Sequence, residues 1–276
     1  MADQLNLVFF PSSYSELFNA WSRYPKAVPY AGGTALIRKQ GRRILELPSI
    51  ILSLDKLEEM CRISRSERYM EIGAMAKLSQ IIDLGKSVPV VLRCCLENIA
   101  GPQLRNMATI GGNLCFYGGR LDSSAVLLAL DAQCELRNAQ SSRWISASRF
   151  FSTPGQTALK PQELLTRIRI PLESWDYSIY KKFAGQSDQS KAAVFLARTQ
   201  KNTLGDIRIV CKTDVLLRNR ESESILTGKH LPLPHRIAAD FVESWKAYLC
   251  GVQNMDELSR QEFVNFIEIN IHHLSE

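Results

Sequence analysis

Two short segments, each with a glycine pair, constrain this chain more than any other feature: Ala31-Gly32-Gly33-Thr34-Ala35-Leu36 and Ala108-Thr109-Ile110-Gly111-Gly112-Asn113-Leu114. Each lies between regular elements. The first follows the extended run Ala27 to Tyr30 and leads into Ala35-Leu36-Ile37, which reads as strand, glycine turn, helix. The second reads as a glycine-rich loop, Thr109 to Gly119, ahead of a buried helix that Asp122 opens and that runs to Leu130. Paired glycines leave backbone N–H groups uncovered and permit positive φ, so a phosphate oxygen can approach the main chain with a threonine hydroxyl beside it. Two such turns can hold one diphosphate from both sides. For a single Gly-Gly pair a plain tight turn is the commoner reading, and neither segment matches G-x-G-x-x-G or the P-loop.

The rest of the chain reads as mixed helix and strand. Ser13 and Glu16 form a capping-box pair ahead of Tyr14, Leu17, Phe18 and Trp21 at helical spacing. Ile44 to Leu54 and Tyr69 to Ala74 read as strands, Leu78 to Leu84 as a short helix, and Pro89 opens a further helix from Val90 to Ile99. Beyond Pro171 the pattern changes. Tyr177 to Ala184, Lys191 to Arg198 and Ile207 to Leu217 are strand-like runs between polar turns, as in an antiparallel meander. Two helices close the chain. Pro234 starts one, with Ile237, Phe241, Trp245 and Tyr248 on a face; Ser259 with Glu262 caps the other, which carries Phe263, Phe266, Ile267 and Ile271. The expected class is α+β, with a boundary near 174: a domain over 1–174, with subdomains of about 1–55 and 56–174, and a smaller antiparallel sheet packed with helices over 175–276.

Composition excludes several functions. No run approaches the roughly 18 apolar residues of a membrane span, and the first residues lack the basic and apolar regions of a secretory signal, which predicts a cytoplasmic protein away from membranes. Cys61, Cys94, Cys95, Cys115, Cys134, Cys211 and Cys250 form no C-x-x-C pair, so neither a disulfide framework nor a zinc or iron–sulfur site is expected. His272 and His273 are adjacent on a helix and point apart, so no metal is assigned to them. A net charge of +6 spread along the chain lacks the concentrated basic face that nucleic acid requires. No Ser/His/Asp, Cys/His or paired-carboxylate arrangement emerges, and no catalytic residue is assigned.

Taken together, the segments carry a resemblance. Gly-Pro-Gln-Leu-Arg-Asn-Met-Ala-Thr-Ile-Gly-Gly-Asn-Leu at 101–114, with Asp122 nine positions after Asn113 and Leu-Leu-Ala-Leu-Asp-Ala at 127–132, resembles the signature of the molybdenum hydroxylase flavin subunits, of CO dehydrogenase medium-subunit and xanthine dehydrogenase type. Ala31 to Leu36 resembles their first pyrophosphate loop, Tyr69 to Leu78 (YMEIGAMAKL) the strand between, and Phe150-Phe151 with Leu159 to Pro171 the end of the flavin domain. The resemblance covers about residues 5 to 200. It implies the vanillyl-alcohol-oxidase-type, FAD-binding PCMH-type fold for 1–174 and a CO dehydrogenase flavoprotein-like domain for 175–276.

The resemblance also implies roles. Ala31, Gly32, Gly33, Thr34, Ala35 and Leu36 would wrap the FAD pyrophosphate, and Thr109, Gly111, Gly112 and Asn113 would close on it from the other side. Asp122 would accept hydrogen bonds from the ribityl or adenosine part, although as a residue it also reads as a helix cap. Ile99 and Leu165 would lie against the rings, or serve as plain core. A basic residue near the isoalloxazine would be Lys181 or Lys182, with Lys182 preferred; as residues, the pair also reads as a solvated strand face. The sequence departs from the family pattern at Ala35, Ala125 and Leu121, over Phe116 to Arg120, and at Gly185 or Gln186.

The function implied by the resemblance is that of an electron-transfer subunit. In such a complex a molybdopterin-binding large subunit hydroxylates a heterocycle or aldehyde, and a small subunit relays electrons through its 2Fe-2S clusters. FAD on this chain collects them for NAD+ or another acceptor. Two rivals stand beside it: a docking subunit that has lost flavin, and a standalone flavin reductase of the same fold, with Ser222, Glu223 or Ser224 available as proton donors.

Overall fold

Ser13 opens the first helix of the computed structural model, its hydroxyl accepting the Glu16 amide at 3.2 Å while the Glu16 carboxylate turns back to the Ser12 amide and hydroxyl. The structure describes residues 6–40, 46–116, 122–154, 156–183 and 190–276. The expectations for 41–45, for 117–121, and for Ala184, Gly185 and Gln186 lie outside them.

In chain order the elements begin with β1 (Leu7–Phe9), α1 (Tyr14–Arg23), β2 (Val28–Tyr30), α2 (Thr34–Gln40) and β3 (Ile50–Ser53). Then come β4 (Ile63–Arg65), β5 (Tyr69–Gly73), α3 (Leu78–Asp83), α4 (Val90–Glu97), α5 (Pro102–Arg105) and α6 (Ile110–Cys115). They are followed by α7 (Asp122–Ala129), β6 (Gln133–Arg137), β7 (Ser142–Ser146), α8 (Ala147–Phe150) and β8 (Leu164–Pro171). The chain closes with β9 (Tyr177–Phe183), β10 (Lys191–Gln200), β11 (Thr203–Lys212), β12 (Leu216–Leu217), α9 (Arg220–Leu226), α10 (His235–Cys250) and α11 (Glu257–His273). Helices and sheets mix as the α+β expectation requires.

Two compact units emerge, interleaved in sequence. One comprises Met1–Val88, Ile99–Gly119 and Asp131–Leu172; the other, Pro89–Asn98, Arg120–Leu130 and Glu173–Glu276. The second unit takes the stretch from Glu173 onward together with α4 and α7, which are encoded earlier. The reason is burial: all eight residues of α7 are buried, and the sheet of the second unit is what they cover.

The first unit holds two sheets. Parallel strands in the order β1-β3-β2 form one, with Leu17, Phe18 and Trp21 of α1 buried. The other is five-stranded, β4-β5-β8-β6-β7, every neighbouring pair antiparallel. One face is apolar, with Met70, Ile72, Cys134, Leu136, Ile168 and Ile170 buried. The other carries charge: Arg167 grips Glu135 through two bonds of 2.8 and 3.0 Å, Arg169 reaches Glu71 at 2.7 Å, and its guanidinium lies 4.2 Å from the Trp144 ring centre.

In the second unit β12-β11-β10-β9 form an antiparallel meander whose register fixes which side chains share a face. Ile179, Phe195 and Ile209 align across three strands and pack toward Phe241 and Trp245 of α10 and Phe263 and Ile267 of α11. The opposite face aligns Lys182, Ala192 and Lys212, then Tyr180, Val194 and Val210, beneath α4 and α7. Helix α11 starts earlier than expected. Asp256, not Ser259, is its N-cap, accepting the Ser259 amide at 2.8 Å, while Glu262 is taken by Lys191 at 2.7 Å.

Candidate functional site

The first glycine segment forms the strand, turn and helix expected of it. Gly33 has φ +67°, in the left-handed region that favours glycine, and its carbonyl accepts the Leu36 and Ile37 amides as α2 begins. Among the described residues nothing accepts the amides of Gly32, Gly33, Thr34 or Ala35. Four donors therefore cluster at one turn. Gly32 is fixed by an approach: a Cβ built on it would stand 1.9 Å from the Met107 carbonyl oxygen, so any side chain there pushes the second segment away.

That second segment is not a loop, contrary to the expectation for Thr109 to Gly119. Ile110–Cys115 is helical, with Thr109 as N-cap and its hydroxyl accepting the Gly112 amide at 3.0 Å. The remaining amides are occupied too: Ile110 donates to Ala76, Gly111 to Ala74 and Asn113 to Thr109. With Leu78 donating to Ala108, the chain from Ala74 to Leu78 straps the segment down. Gly111 is required because a Cβ would meet Ala74 at 2.6 Å, which is a packing need rather than a ligand need. The structure thus brings the two segments together; among the described residues it leaves four amides without an acceptor on the first, while on the second the amides of 110–113 are occupied and that of Thr109 has none.

Ile99, after α4, is half-buried, and its carbonyl accepts from Arg105. Leu165 is 2 % exposed and pairs in register with Leu136, which gives it to the core of the five-stranded sheet.

Asp122 and Lys182 meet within the second unit. Lys182 Nζ donates to Asp122 Oδ2 at 2.7 Å and to the Asn98 carbonyl at 3.0 Å, and Ser190 Oγ donates to Asp122 Oδ1. With both oxygens bonded and 1 % of its side chain exposed, Asp122 has the geometry of an internal counter-ion, not of the free acceptor expected for a ribityl or adenosine group. Lys212 donates to the Ser190 and Thr213 carbonyls at 3.0 and 3.1 Å; burial pushes its ammonium pKa down, against the pull of Asp122 and Asp214. Cys95 and Tyr180 lie in the same cluster, and burial pushes both well above their ordinary values, so neither is poised to ionise. At the other end of α7, Arg208 donates to the Ala129 carbonyl and Arg218 to the Leu128 carbonyl, so the helix has an anion at its N-terminus and cations at its C-terminus.

Residues 3–173 match the family described as the FAD binding domain in molybdopterin dehydrogenase. The chain belongs to that family. The glyceraldehyde dehydrogenase medium chain of Sulfolobus acidocaldarius is 32 % identical over 209 residues, 74 % of each chain. The carbon monoxide dehydrogenase medium chain of Afipia carboxidovorans is 30 % identical over 216 residues, 75 % of this chain and 74 % of that one. The fold matches a chain of the Cu,Mo-CO dehydrogenase crystal structure in its cyanide-inactivated form with a TM-score of 0.80, at 23 % identity, over 98 % of this chain and 96 % of that one.

Membership of the flavin family gives the chain its cofactor, FAD, and makes it a flavin-binding oxidoreductase subunit of the molybdenum hydroxylase type. The residues present fit that group where its charge lies: four unpartnered amides at the Gly33 turn match a diphosphate. Among the described residues no cluster of three or more His, Cys, Asp or Glu is placed to hold a metal, and no helix is long and apolar enough to cross a membrane.

Three participants escaped the sequence reading. Lys77, within the quoted run YMEIGAMAKL, donates from Nζ to the Met107 carbonyl at 3.3 Å, at the meeting of the two segments. Its signal was a basic side chain following Ala74-Met75-Ala76. Lys212 was legible as a charge at the end of the alternation Arg208, Val210, Lys212 on a buried strand. Ser190 gave no signal, because its partner lies 68 positions away.

Proposed function

We infer that this chain is the electron-transfer subunit of a complex with a molybdopterin-binding large subunit and a small subunit carrying 2Fe-2S clusters, passing electrons through FAD to NAD+ or another acceptor in the cytoplasm. The observation that carries the reading is the Gly33 turn, which presents the amides of Gly32, Gly33, Thr34 and Ala35 with no protein acceptor among the described residues. Its supports outside the site are the family match and relatives whose own names call them medium chains.

FAD supplies the redox chemistry, as a two-electron store. The chain's residues bind and orient. Within Ala31 to Leu36, the amides of Gly32, Gly33, Thr34 and Ala35 hold the diphosphate, so side-chain departures such as Ala35 leave the contact in place. Thr109, Gly111, Gly112 and Asn113 act indirectly: their helix, strapped to Ala74 and Ala76, presses the Met107 carbonyl against Gly32 and so sets the shape of the turn. Ile99 is a half-buried apolar surface available to a ring system. Lys182, held by Asp122, keeps a fixed positive charge in the second unit, the position the family resemblance gives to the isoalloxazine neighbour.

The test is the visible absorption of the purified chain after incubation with FAD and removal of free ligand, for wild type and Thr34→Pro. Proline at a first helical position keeps φ and removes one N–H, so the flavin bands should fall sharply while the melting temperature holds. Flavin retained in full by the variant overturns the amide cradle. Anaerobic NADH then bleaches the bound flavin if NAD+ is the acceptor couple; an unbleached band assigns the electrons to another acceptor.

A further inference from the structure

A diphosphate brings two negative charges, and four amides answer them only with partial positive charge. The second segment, from which more donors were expected, has the amides of 110–113 all occupied. The structure supplies a full charge from elsewhere. Lys77 is half-buried at the residue preceding α3, bridged to Thr109, and its ammonium reaches the Met107 carbonyl, the same oxygen that crowds Gly32. One carbonyl oxygen therefore touches both the Gly32 turn and the Lys77 ammonium. An ammonium has three donors, and the carbonyl takes one.

We propose that Lys77 is a binding residue for the FAD diphosphate, its ammonium supplying the counter-charge that the second glycine segment does not. The proposal rests on the reading of the Gly33 turn as the diphosphate cradle. Chemically it makes this subsite selective for a dianionic linkage: FAD and ADP gain from the lysine, and riboflavin does not. The lysine also stands on the strap that holds the second segment, with the Leu78 amide next to it bonded to Ala108, so its backbone position is fixed before ligand arrives. Pre-placement of this kind lowers the ordering cost of a flexible side chain.

The experiment is a titration of the 276-residue chain with FAD, followed by flavin fluorescence, and by ADP in competition. It compares wild type, Lys77→Met, Lys77→Arg and Thr34→Pro, with the melting temperature of each ligand-free protein taken alongside. For Lys77→Met the FAD dissociation constant should rise about tenfold, ADP should weaken in parallel, and the ligand-free melting temperature should stay at the wild-type value. Lys77→Arg should recover most of the affinity. Raising salt should weaken FAD binding less in Lys77→Met than in wild type, since one charge contact is gone. Wild-type affinity in Lys77→Met overturns the proposal. So does a loss of affinity that tracks a lowered melting temperature in both Lys77 variants, because the lysine is then a strut for the Met107 carbonyl. If Thr34→Pro also binds as wild type, the cradle reading fails with it; if Thr34→Pro loses FAD while Lys77→Met does not, only the lysine assignment falls.

Discussion

Lys182 Nζ lies 2.7 Å from Asp122 Oδ2, and the carboxylate it meets is 1 % exposed while the lysine keeps a path to solvent. The pair is asymmetric. Lys182 without Asp122 can turn toward water, whereas Asp122 without Lys182 is left, among the described residues, with the Ser190 hydroxyl and the charge of buried Lys212. Breaking a buried pair from one side leaves an uncompensated charge, which costs more than the pair contributes.

Lys182→Met should therefore destabilise the protein by about 3 kcal/mol, and the double variant Asp122→Leu with Lys182→Met should recover a large part of that. Urea unfolding of the two single variants and the double measures the coupling. A single-variant loss below about 0.5 kcal/mol would show that the two charges are not energetically linked.

The two glycines of the second segment should behave differently. Gly111→Ala places a Cβ 2.6 Å from Ala74 and should cost about 2 kcal/mol, since the backbone on both sides is pinned by hydrogen bonds. Gly112→Ala meets the Thr109 hydroxyl at 2.8 Å and the Ala31 Cβ at 3.9 Å, neither of them main chain, and gains helix propensity, so it should cost no more than about 1 kcal/mol, less than Gly111→Ala. Equal melting temperatures for the two variants would contradict the packing role given to Gly111.

Acid should loosen the first unit through two carboxylates. Burial pushes the Glu135 carboxyl up, but the Arg167 and Thr166 hydrogen bonds outweigh it and hold its pKa below the ordinary glutamate value. The Arg143 guanidinium, bonded at 2.8 Å through each of two nitrogens, holds Glu163 below it as well. Folded pKa values below the unfolded ones mean stability that is present above the ordinary glutamate pKa and is lost as pH falls through the folded one. The urea midpoint should fall between roughly pH 5 and 3, with a shallower slope in Glu135→Gln and Glu163→Gln. Parallel curves for wild type and both variants would rule these carboxylates out.

Glu223 has the opposite sign. Burial raises its pKa despite Arg218 at 3.0 Å, so its contribution is fully present below the ordinary glutamate value and declines as pH rises through the folded one. Removing the guanidinium in Arg218→Met should cost about 3 kcal/mol near neutral pH, and less as acid protonates the stranded carboxyl. A deficit independent of pH would assign the loss to the Leu128 carbonyl that Arg218 also holds.

Legibility in the sequence followed the distance over which a residue finds its partner. The meander β9 to β11 and the stripes of α10 and α11 were readable because alternation and 3.6-residue spacing are local. So was the Gly33 turn, which depends on its own φ. Strands β6 and β7 were missed: Gln133–Arg137 and Ser142–Ser146 are rich in polar and charged residues, and their bonds come from Glu135 reaching Arg167 and Arg143 reaching Glu163 across 32 and 20 positions. The helix at Ile110 is not legible locally, because amides in its first turn are satisfied by Ala74 and Ala76, far back in the chain. Asp122 was recognised as a helix opener, yet its partner Lys182, 60 positions on, decides what the carboxylate does.

The interleaving of the two units sets terms for anyone who wishes to graft or trim this protein. The meander is roofed on one side by α4 and α7, which are encoded ahead of β8. A gene cut at 174 would thus release a C-terminal fragment with the faces of Val194 and Val210 bare, and an N-terminal fragment carrying two apolar helices with no sheet to cover. Exchange of the C-terminal sheet between relatives should succeed only when three separate stretches travel as one set, and a library built on a single crossover should yield insoluble chimaeras.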